Sequence, residues 1–360
     1  MTTQARQGSP LAPRLAALST AVPRHRLVQS DIRAWARGLF NGRVRDIERM
    51  LPAFDNAGIE TRYSCMPLDW FSTPRGWAEK NARYLEHALD LLTEAAVTCL
   101  AAAGLTARDV DALVTVSTTG IATPALDARL FERLAFRAET ARLPIFGLGC
   151  AGGVNGLARA AEVARARPGS KVLFLVVELC GLTFRSADLS KSNVIATALF
   201  GDGAAAALIT TDGPGPRITR WGEHTWPKSL DVMGWTVEED GLGVVFSRDI
   251  PHLVETELPP VVQRYLAQDN LNLGHVDAFV AHPGGEKVVT ALETVFGRPP
   301  GGLEHARAVL RDFGNMSAAT VLFVLRRTLD AGFADTVGKR ALMSALGPGF
   351  TAGFLTLEAA

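Results

Sequence analysis

The sequence contains an internal repeat, and this repeat constrains the fold more than any other feature. The segment VDALV at 110–114 returns as VDAFV at 276–280, and LFGDGAAAALIT at 199–210 has a weaker counterpart in ALGPGFTAGFLTL at 345–357. Each pair places an apolar run beside a glycine turn, and the order is the same in both halves. We therefore predict two duplicated α/β halves, residues 1–212 and 213–360.

Helix-like and strand-like segments alternate within each half. Apolar residues recur at helical spacing over 76–103, which predicts one long amphipathic helix. LAALSTAV near the N-terminus predicts a first strand, and the continuous apolar run in KVLFLVVEL predicts a strand covered on both faces. Residues 213–260 are rich in Trp, Gly and Pro and predict a crossing between the halves with some hairpin structure. Two such halves packed together predict a layered α/β/α/β/α body.

Composition excludes several classes of protein. The 37 Lys and Arg residues balance the 37 Asp and Glu residues, so no global field favours nucleic acid or an anionic membrane as a partner. No apolar run reaches the ~18 residues of a membrane-spanning helix. The four cysteines are too few for a disulfide scaffold and form no CxxC pair, which favours a reduced, cytoplasmic setting and gives a metal site no support.

The turn FGLGCAGG at 146–153 has two interpretations. Its glycines spell GxGxxG, the fingerprint of a dinucleotide-binding turn, and Glu178 follows at a tolerable distance for a ribose-binding acid. That pattern is weak in a chain with 34 glycines, and it normally opens its domain. Alternatively, Cys150 lies between a strand end and a helix start, where free N–H groups and the helix dipole favour a thiolate. Since a single cysteine is more often a buried apolar residue, its partners must decide.

Two polar residues are candidate partners. His282 ends the second copy of the repeated strand in AFVAHPGGEKVV, where Pro and Gly turn the chain before a helix that begins near Glu286. Asn315 in FGNMSAATVLFVL precedes an apolar helix. It is either a helix N-cap or an amide that donates to a developing oxyanion. His282 alone is as consistent with an ordinary structural role as with a functional one, and for Asn315 alone the N-cap is the favoured interpretation.

Together these motifs resemble a known family. GLGCAGG with Cys150, HPGG with His282, GNMSAA with Asn315 and the closing GPGFTAGF are similar to the type III polyketide synthases, the chalcone synthase-like family on the thiolase fold. The match runs in register over most of the chain and includes ETRYS, ELCGLTFR and LFGDGAAA. The resemblance implies a five-layered α/β/α/β/α thiolase-like fold, a homodimer, and coenzyme A thioesters as substrates without a cofactor or metal.

The same resemblance implies the chemistry of a decarboxylative condensing acyltransferase. An acyl starter passes from coenzyme A to Cys150, malonyl-CoA loses carbon dioxide, and the resulting carbanion attacks the thioester before the chain cyclises. His282 as an imidazolium would stabilise the thiolate. Donors from His282 and Asn315 would stabilise the malonyl thioester oxygen, and no general base is needed for that step.

The resemblance also implies further substrate-binding positions, each matched to a single residue of this sequence. Phe200 in LFGDG matches the gatekeeper phenylalanine between the coenzyme A tunnel and the reaction cavity, and Val244 aligns near a second gatekeeper phenylalanine, which predicts a wider gate. Three residues match cavity-lining positions and a fourth lies where cavity volume is set: Cys180, Thr183, Ser317 and Trp235.

The basic positions that bind the coenzyme A phosphates in the plant enzymes are only partly present. Arg49 matches, whereas Pro52 and Asn56 stand at the other two positions. The nearby Arg43, Arg45 and Arg62 are candidates to compensate, although a solvated surface charge is their default interpretation. How coenzyme A is held is therefore left open by the sequence.

The substrate is inferred from finer similarities. ELCGLTF and MGW…GLGVVF resemble the bacterial branch that makes alkylpyrones and alkylresorcinols, which favours a medium- or long-chain fatty acyl starter. The alternatives are a small or malonyl starter giving a phloroglucinol or naphthalene-type product, a single condensation like that of ketoacyl synthase III, and a non-catalytic acyl-binding paralogue. A nicotinamide-dependent oxidoreductase is a more distant alternative.

Overall fold

The computed structural model describes residues 11–43 and 47–360, so Arg45 lies outside the described residues. The strands of the described chain are β1 (Arg14–Ala21), β2 (His25–Val28), β3 (Thr61–Ser64), β4 (Ala112–Val116), β5 (Ala141–Ile145), β6 (Val172–Leu179), β7 (Asp202–Thr210), β8 (Arg217–Thr225), β9 (Met233–Glu238), β10 (Gly241–Phe246), β11 (Ala278–Ala281), β12 (Arg340–Gly347) and β13 (Thr351–Glu358). The helices are α1 (Gln29–Phe40), α2 (Pro52–Asp55), α3 (Trp77–Ala102), α4 (Leu126–Leu130), α5 (Gly152–Ala166), α6 (Lys191–Leu199), α7 (Ile250–Ala267), α8 (Glu286–Val295), α9 (Glu304–Phe313) and α10 (Thr320–Asp330).

Nine of the described strands form one hydrogen-bonded sheet in the order β11-β12-β13-β8-β1-β7-β6-β4-β5. The strands β1 and β8 meet through a single residue pair, Arg14 with Arg217. This narrow junction divides the sheet into a five-stranded part that ends at β1 and a four-stranded part that begins at β8.

The two parts of the sheet repeat one connectivity. In the first part β4 is parallel to β6, β6 is antiparallel to β7, and β7 is antiparallel to β1. In the second part β11 is parallel to β12, β12 is antiparallel to β13, and β13 is antiparallel to β8. The repeated segments of the sequence are therefore equivalent strands, β4 with β11 and β7 with β13, and the predicted duplication is confirmed.

Helices α5 and α10 lie between the two parts of the sheet, with the main hydrophobic core around them. Helix α3 covers the outer face of the first part, where it forms a second core with β6 and β7, and α7 and α8 cover the second part. The layers therefore follow the predicted α/β/α/β/α order. Glycines make the central layer possible, because a Cβ at Gly156 would lie 2.6 Å from side-chain carbons of both Phe174 and Val116.

Most of the predicted elements are confirmed, with one exception. The long helix is α3, the first strand is β1, the doubly covered strand is β6, and α8 begins at Glu286. The segment 213–260 does contain a hairpin, β9 with β10, but it also supplies the integral strand β8 and the start of α7. Strand β8 was missed because its sequence, RITRWGEHT, is half-buried and lacks an apolar run. The predicted boundary at 212/213 falls in the turn between β7 and β8.

None of the helices in the described part of the chain is both long and apolar enough to cross a bilayer.

Candidate active site

Cys150 lies in the turn that joins β5 to α5. A short 3₁₀ helix, Gly149–Ala151, leads directly into α5 at Gly152, so the thiol precedes the helix N-terminus. The cysteine is 9% exposed. Gly147 and Gly149 have φ angles of +93° and +47°, a backbone region that glycine enters without the steric cost of a Cβ.

The glycines of this turn also allow close packing against two other motifs. A Cβ at Gly149 would lie 2.6 Å from Pro348 in the closing GPGF segment. A Cβ at Gly153 would lie 2.2 Å from the carbonyl oxygen of Ala318 in the GNMSAA segment. The GxGxxG pattern thus brings three motifs together rather than opening a phosphate cradle, and the dinucleotide interpretation is wrong.

Glu178, the acid that this interpretation needed, is buried behind the nucleophile at the end of β6. One carboxyl oxygen accepts hydrogen bonds from the Thr118 backbone N–H at 3.0 Å and the Thr119 hydroxyl at 2.8 Å. Burial raises the pKa of Glu178 to about 8. Because this carboxyl is buried, it is not accessible to the ribose of a bound dinucleotide. Its position as the one acid in KVLFLVVEL was the available sign that it faces the protein interior.

His282 lies immediately beyond the carboxyl end of β11. Its backbone N–H donates to the Ser344 carbonyl at 2.8 Å, which fixes it beside β12. The side chain is 4% exposed, and neither ring nitrogen has a hydrogen-bond partner in the described chain. Burial lowers the pKa of His282 to about 4, so the ring is an uncharged imidazole at neutral pH. An uncharged imidazole has one N–H to donate and one nitrogen that accepts a proton.

Asn315 connects the third motif to the histidine loop. Its side-chain N–H donates to the Gly284 carbonyl at 3.0 Å, and its side-chain oxygen accepts from the Ser317 backbone N–H at 2.8 Å. A 3₁₀ turn, Ser317–Ala319, leads directly into α10 at Thr320, so the Asn315 oxygen accepts from the first N–H of this helical segment as the capping interpretation predicts, although Met316 holds the N-cap position itself. Because an amide nitrogen carries two hydrogens, one N–H remains for a substrate oxygen.

The three residues line one cavity of about 460 Å³, although they come from different halves of the chain. Cys150 belongs to the first half, while His282 and Asn315 belong to the second. The Cys150 sulfur lies 3.6 Å from the Ser317 hydroxyl oxygen. Ser317 has a φ of +46°, a conformation that costs a non-glycine residue about 1–3 kcal/mol and that clusters at functional sites.

The charge states of Cys150 and His282 differ from the thiolate and imidazolium that the family resemblance implies. Burial raises the pKa of the Cys150 thiol to about 12, against a smaller lowering by the Ser317 hydrogen bond. With the histidine pKa lowered as well, the cavity favours an uncharged thiol and an uncharged imidazole over the thiolate–imidazolium pair. The thiol proton has to leave Cys150 as the sulfur attacks, and His282, whose ring nitrogens have no hydrogen-bond partner in the described chain, is a base that lines the same cavity.

The predicted substrate-binding residues fall on both sides of α6. Arg49 lines the cavity that contains Cys150, and Ser317 contacts the sulfur itself. Four others line a second cavity of about 60 Å³ on the opposite side of α6: Cys180, Thr183, Phe200 and Val244. Trp235 packs on Phe200 with ring centroids 6.0 Å apart. The structure thus separates these four residues from the catalytic cavity. Phe200 lies between the two cavities, and we call its position the partition.

Phe246 is a site residue that the sequence analysis missed. It lines the catalytic cavity, and its ring centroid lies 5.7 Å from that of Phe200. It stands two positions after Val244 on β10, so strand alternation was the available signal. An aromatic ring therefore faces Phe200 even though Val244 occupies the aligned gatekeeper position.

Backbone hydrogen bonds connect the partition at Phe200 to Asn315, whose side-chain amide lines the catalytic cavity. The Asn315 N–H donates to Leu199 at 2.9 Å, and the Gly201 N–H donates to Asn315 at 3.0 Å, on either side of Phe200. Arg62 is 3% exposed and donates to the Phe200 carbonyl at 2.8 Å. Arg62 is therefore a structural residue rather than a substitute phosphate ligand. Arg43 donates to the Ser186 carbonyl at 2.9 Å.

Within 11–43 and 47–360, no group of three or more His, Cys, Asp or Glu side chains is placed to hold a metal ion. The four cysteines are free and buried.

Comparison with known proteins gives a consistent result. The family profile for the N-terminal domain of chalcone and stilbene synthases matches residues 3–214, and that for the C-terminal domain matches residues 222–359. A candidate chalcone synthase of Bacillus subtilis (strain 168) is 39% identical over 352 residues, 94% of this chain and 96% of that protein. The 1,3,6,8-tetrahydroxynaphthalene synthase of Streptomyces peucetius subsp. caesius is 37% identical over 350 residues, 96% of this chain and 92% of that protein.

A solved structure shows the same fold. The crystal structure of 1,3,6,8-tetrahydroxynaphthalene synthase from Streptomyces coelicolor A3(2), described as a bacterial type III polyketide synthase, matches with a TM-score of 0.91 at 29% identity. The match covers 96% of this chain and 99% of that one.

Proposed function

Because the chain belongs to the chalcone and stilbene synthase family and is a type III polyketide synthase, we propose that it loads an acyl group from coenzyme A onto Cys150 and extends it with malonyl-CoA. The observation that carries this proposal is the convergence of Cys150, His282 and Asn315 on one cavity from two halves of the chain. Membership of this family argues against the ketoacyl synthase III-like and non-catalytic alternatives.

In the loading step the thiol proton moves to the uncharged imidazole of His282 while the Cys150 sulfur attacks the acyl-CoA carbonyl. The carbon–sulfur bond to coenzyme A then breaks, and the imidazolium returns the proton to the departing thiolate. The N-terminus of α5, which directly follows Cys150, favours negative charge at the sulfur during the attack. A positioned nucleophile and base of this kind replace one difficult step by two easier ones.

In the extension step malonyl-CoA loses carbon dioxide, and the electron pair of the broken bond forms an enolate on the thioester. In this proposal the His282 N–H and the second Asn315 N–H donate to the enolate oxygen. Loss of one such donor typically costs ~10²- to 10³-fold in rate. The enolate carbon then attacks the carbonyl of the Cys150 thioester, and the carbon–sulfur bond to Cys150 breaks. The extended chain remains on coenzyme A, and the Cys150 thiolate that leaves takes a proton from water to regenerate the thiol.

The proposed starter is a medium- or long-chain fatty acyl-CoA, and the product an alkylpyrone or alkylresorcinol. Apolar side chains support this choice in both cavities. Those of the catalytic cavity include Met50, Ile195, Leu199, Met233, Leu258 and Leu346. Those of the second cavity include Leu27, Ile32, Trp35, Leu68, Phe71 and Phe184. Such walls gain free energy by removing an alkyl chain from water, about 0.8 kcal/mol for each buried methylene group.

A second candidate is a malonyl starter with a naphthalene-type product. It is favoured by the 37% identity to a protein named 1,3,6,8-tetrahydroxynaphthalene synthase. A third outcome, a phloroglucinol, belongs to the same class of small, fully malonyl-derived products.

Mass spectrometry of products separates these candidates. We expect malonyl-CoA with octanoyl- to palmitoyl-CoA to give pyrones or resorcinols whose masses follow the starter. Products from malonyl-CoA alone, unchanged when fatty acyl-CoA is added, would favour the second candidate. Absence of any product from every starter would contradict the proposed function itself.

A homodimer is also proposed, through the edge of the sheet at β5. This strand pairs only with β4 among the described strands, and Leu143 and Phe146 are 40% and 60% exposed on it and just beyond it. Both lie close to the Cys150 turn in sequence. Apolar side chains beside a free strand edge are suited to cover by a second copy of the chain.

Phe146→Asp is therefore expected to convert the dimer to a monomer, because a charge replaces an apolar side chain at the proposed contact. Light scattering coupled to size-exclusion chromatography would report half the wild-type mass. Val337→Asp is the matched control, since Val337 is 79% exposed in a loop before β12. A monomeric wild type, or a Phe146→Asp protein that stays dimeric, would refute this interface. The cytoplasmic location stays a prediction, testable by cell fractionation.

A further inference from the structure

The motif ETRYS contains a buried arginine that neither the loading step nor the extension step uses. Arg62 lies on β3 and is 3% exposed. Its two terminal guanidinium nitrogens donate to three backbone carbonyls at the C-terminal end of α6, each at 2.8 Å: those of Thr197, Ala198 and Phe200. The last carbonyls of a helix have no partner within the helix, so Arg62 supplies the hydrogen bonds that the end of α6 lacks.

The positive charge of Arg62 is suited to this position. A helix C-terminus carries a partial negative charge, which a bonded cation stabilises. Burial lowers the pKa of Arg62 to about 9, and the nearby Asp202 opposes this effect, so the guanidinium is charged at neutral pH. Asp202 is the one acid among the described residues that line the second cavity. The arginine is therefore held in place by a helix end and by a buried carboxyl group.

The next residue of β3 contacts the segment that leads to Asn315. The Tyr63 ring stacks on that of Phe313, with the ring centroids 5.7 Å apart. Because side chains alternate along a strand, Arg62 points the other way, toward α6. Strand β3 thus contacts both of the chain segments that meet at the partition, where Phe200 and Asn315 form an isolated parallel bridge.

We propose that Arg62 is a positioning residue: it holds Phe200 in the orientation that separates the two cavities, and it thereby limits the length of the alkyl chain that the enzyme accepts. The proposal rests on the proposed function, since it concerns the acyl starter of the same enzyme. The Phe200 ring packs against the rings of Trp235 and Phe246, with centroids 6.0 and 5.7 Å away. Because Arg62 binds the Phe200 carbonyl and two carbonyls just before it, the residue cannot leave this aromatic cluster without breaking those bonds.

Release of this contact would connect the two cavities. If the end of α6 loosens, the Phe200 ring can turn aside, and the catalytic cavity of about 460 Å³ gains the second cavity of about 60 Å³. The walls of the second cavity are mostly apolar. Each methylene group that enters them contributes up to about fourfold in affinity. Longer starters therefore gain more from the opening than shorter ones.

Starter selection in Arg62→Lys tests this inference. Lysine keeps the positive charge but lacks the planar fork of donors, so it cannot bind all of these carbonyls in the same geometry. We expect kcat/KM for palmitoyl-CoA relative to octanoyl-CoA to rise ~5- to 20-fold above the wild-type ratio, since several methylene groups gain apolar contacts. A merely structural role would lower turnover of both starters by one factor and leave this ratio unchanged.

Gln29→Ala is the second variant, and it leaves Arg62 in place. The Gln29 side-chain oxygen accepts from Arg62, and its side-chain N–H donates to the Ala198 carbonyl at 3.0 Å. Its replacement should raise the same ratio by ~2- to 5-fold, as expected for the loss of one or two hydrogen bonds. Arg14→Lys is the matched control, since Arg14 donates to the Gly215 carbonyl at 3.0 Å and lines neither cavity. Its ratio should equal that of the wild type.

Hydrogen exchange of the backbone gives a readout that needs no turnover. The N–H groups of Phe200 and Gly201 donate to backbone carbonyls at 2.9 and 3.0 Å, so their exchange reports opening at the partition. In Arg62→Lys, the amides of 197–203 should exchange ~3- to 10-fold faster than in the wild type, while those of β13 stay within about twofold.

The outcomes separate this inference from the proposed function. An active Arg62→Lys protein with the wild-type starter ratio would overturn the inference alone. Equally faster exchange over the whole chain, or failure of both variants to fold, would overturn it too, because the contact would then serve the fold rather than the partition. A wild type that forms no product would contradict the proposed function, and faster exchange confined to 197–203 would still support the positioning of Phe200.

Discussion

Cys150→Ala is expected to abolish polyketide formation, with a loss of at least ~10⁴-fold, because Cys150 is the only thiol among the described residues that line the catalytic cavity. Removal of a covalent nucleophile usually leaves only the binding and oxyanion contributions to the rate. The remaining His282 and Asn315 donors still face the cavity, so malonyl-CoA should continue to lose carbon dioxide in the variant. We therefore expect acetyl-CoA to accumulate while pyrone, resorcinol or naphthalene products vanish.

Two measurements check this expectation. Intact-protein mass spectrometry should show one acyl group on the wild type after incubation with acyl-CoA, and none on Cys150→Ala. Cys99→Ala is the matched control, since Cys99 is a fully buried thiol in the core between α3 and the sheet. Acyl transfer to Cys150→Ala at the wild-type level would show that another residue is the nucleophile. Loss of decarboxylation together with condensation would show that the sulfur is needed in both steps.

The sequence predicted those features that depend on local patterns of residues. Each copy of the repeated strand is an apolar run beside a glycine turn, so the repeat and the order of its segments were visible in the sequence. Cys150, His282 and Asn315 each lie at the junction of a strand or turn with a helix, where glycine or proline marks the chain reversal. Their convergence followed from the family resemblance rather than from spacing alone.

The features that the sequence did not predict depend on which elements meet in space. The catalytic cavity is lined by basic residues from four parts of the chain that are far apart in sequence, and in the sequence each of them has the pattern of ordinary surface charge: Arg49, Lys191, Arg248 and Lys287. The division into two cavities depends on which face of α6 each side chain occupies: Ala196 lies on one side and Ile195 on the other. The charge state of the cysteine and histidine depends on burial, which adds a desolvation cost that residue identity does not reveal.

His282→Gln is expected to slow acyl loading by ~10²- to 10⁴-fold, the usual contribution of a general base. Glutamine keeps an N–H donor near the position of the imidazole but cannot accept the thiol proton. Decarboxylation, which needs a donor and no base, should therefore fall less than loading. Single-turnover loading and malonyl-CoA decarboxylation, measured separately, report the two steps. Asn315→Ala is the comparison variant and should show the reverse pattern, with decarboxylation reduced ~10²- to 10³-fold and loading nearly retained.

The pH dependence of loading tests whether the imidazole is uncharged in the free enzyme. A base acts only when it is unprotonated, so activity is lost as the pH falls through its pKa. Because burial lowers the pKa of His282 to about 4, kcat/KM should stay flat down to about pH 5 and decline below it. An acid limb near the ordinary histidine pKa of about 6.5 would mean that a neighbouring negative charge offsets the desolvation. If kcat/KM declines at low pH in the wild type but stays flat in His282→Gln, the acid limb of the pH profile belongs to this histidine.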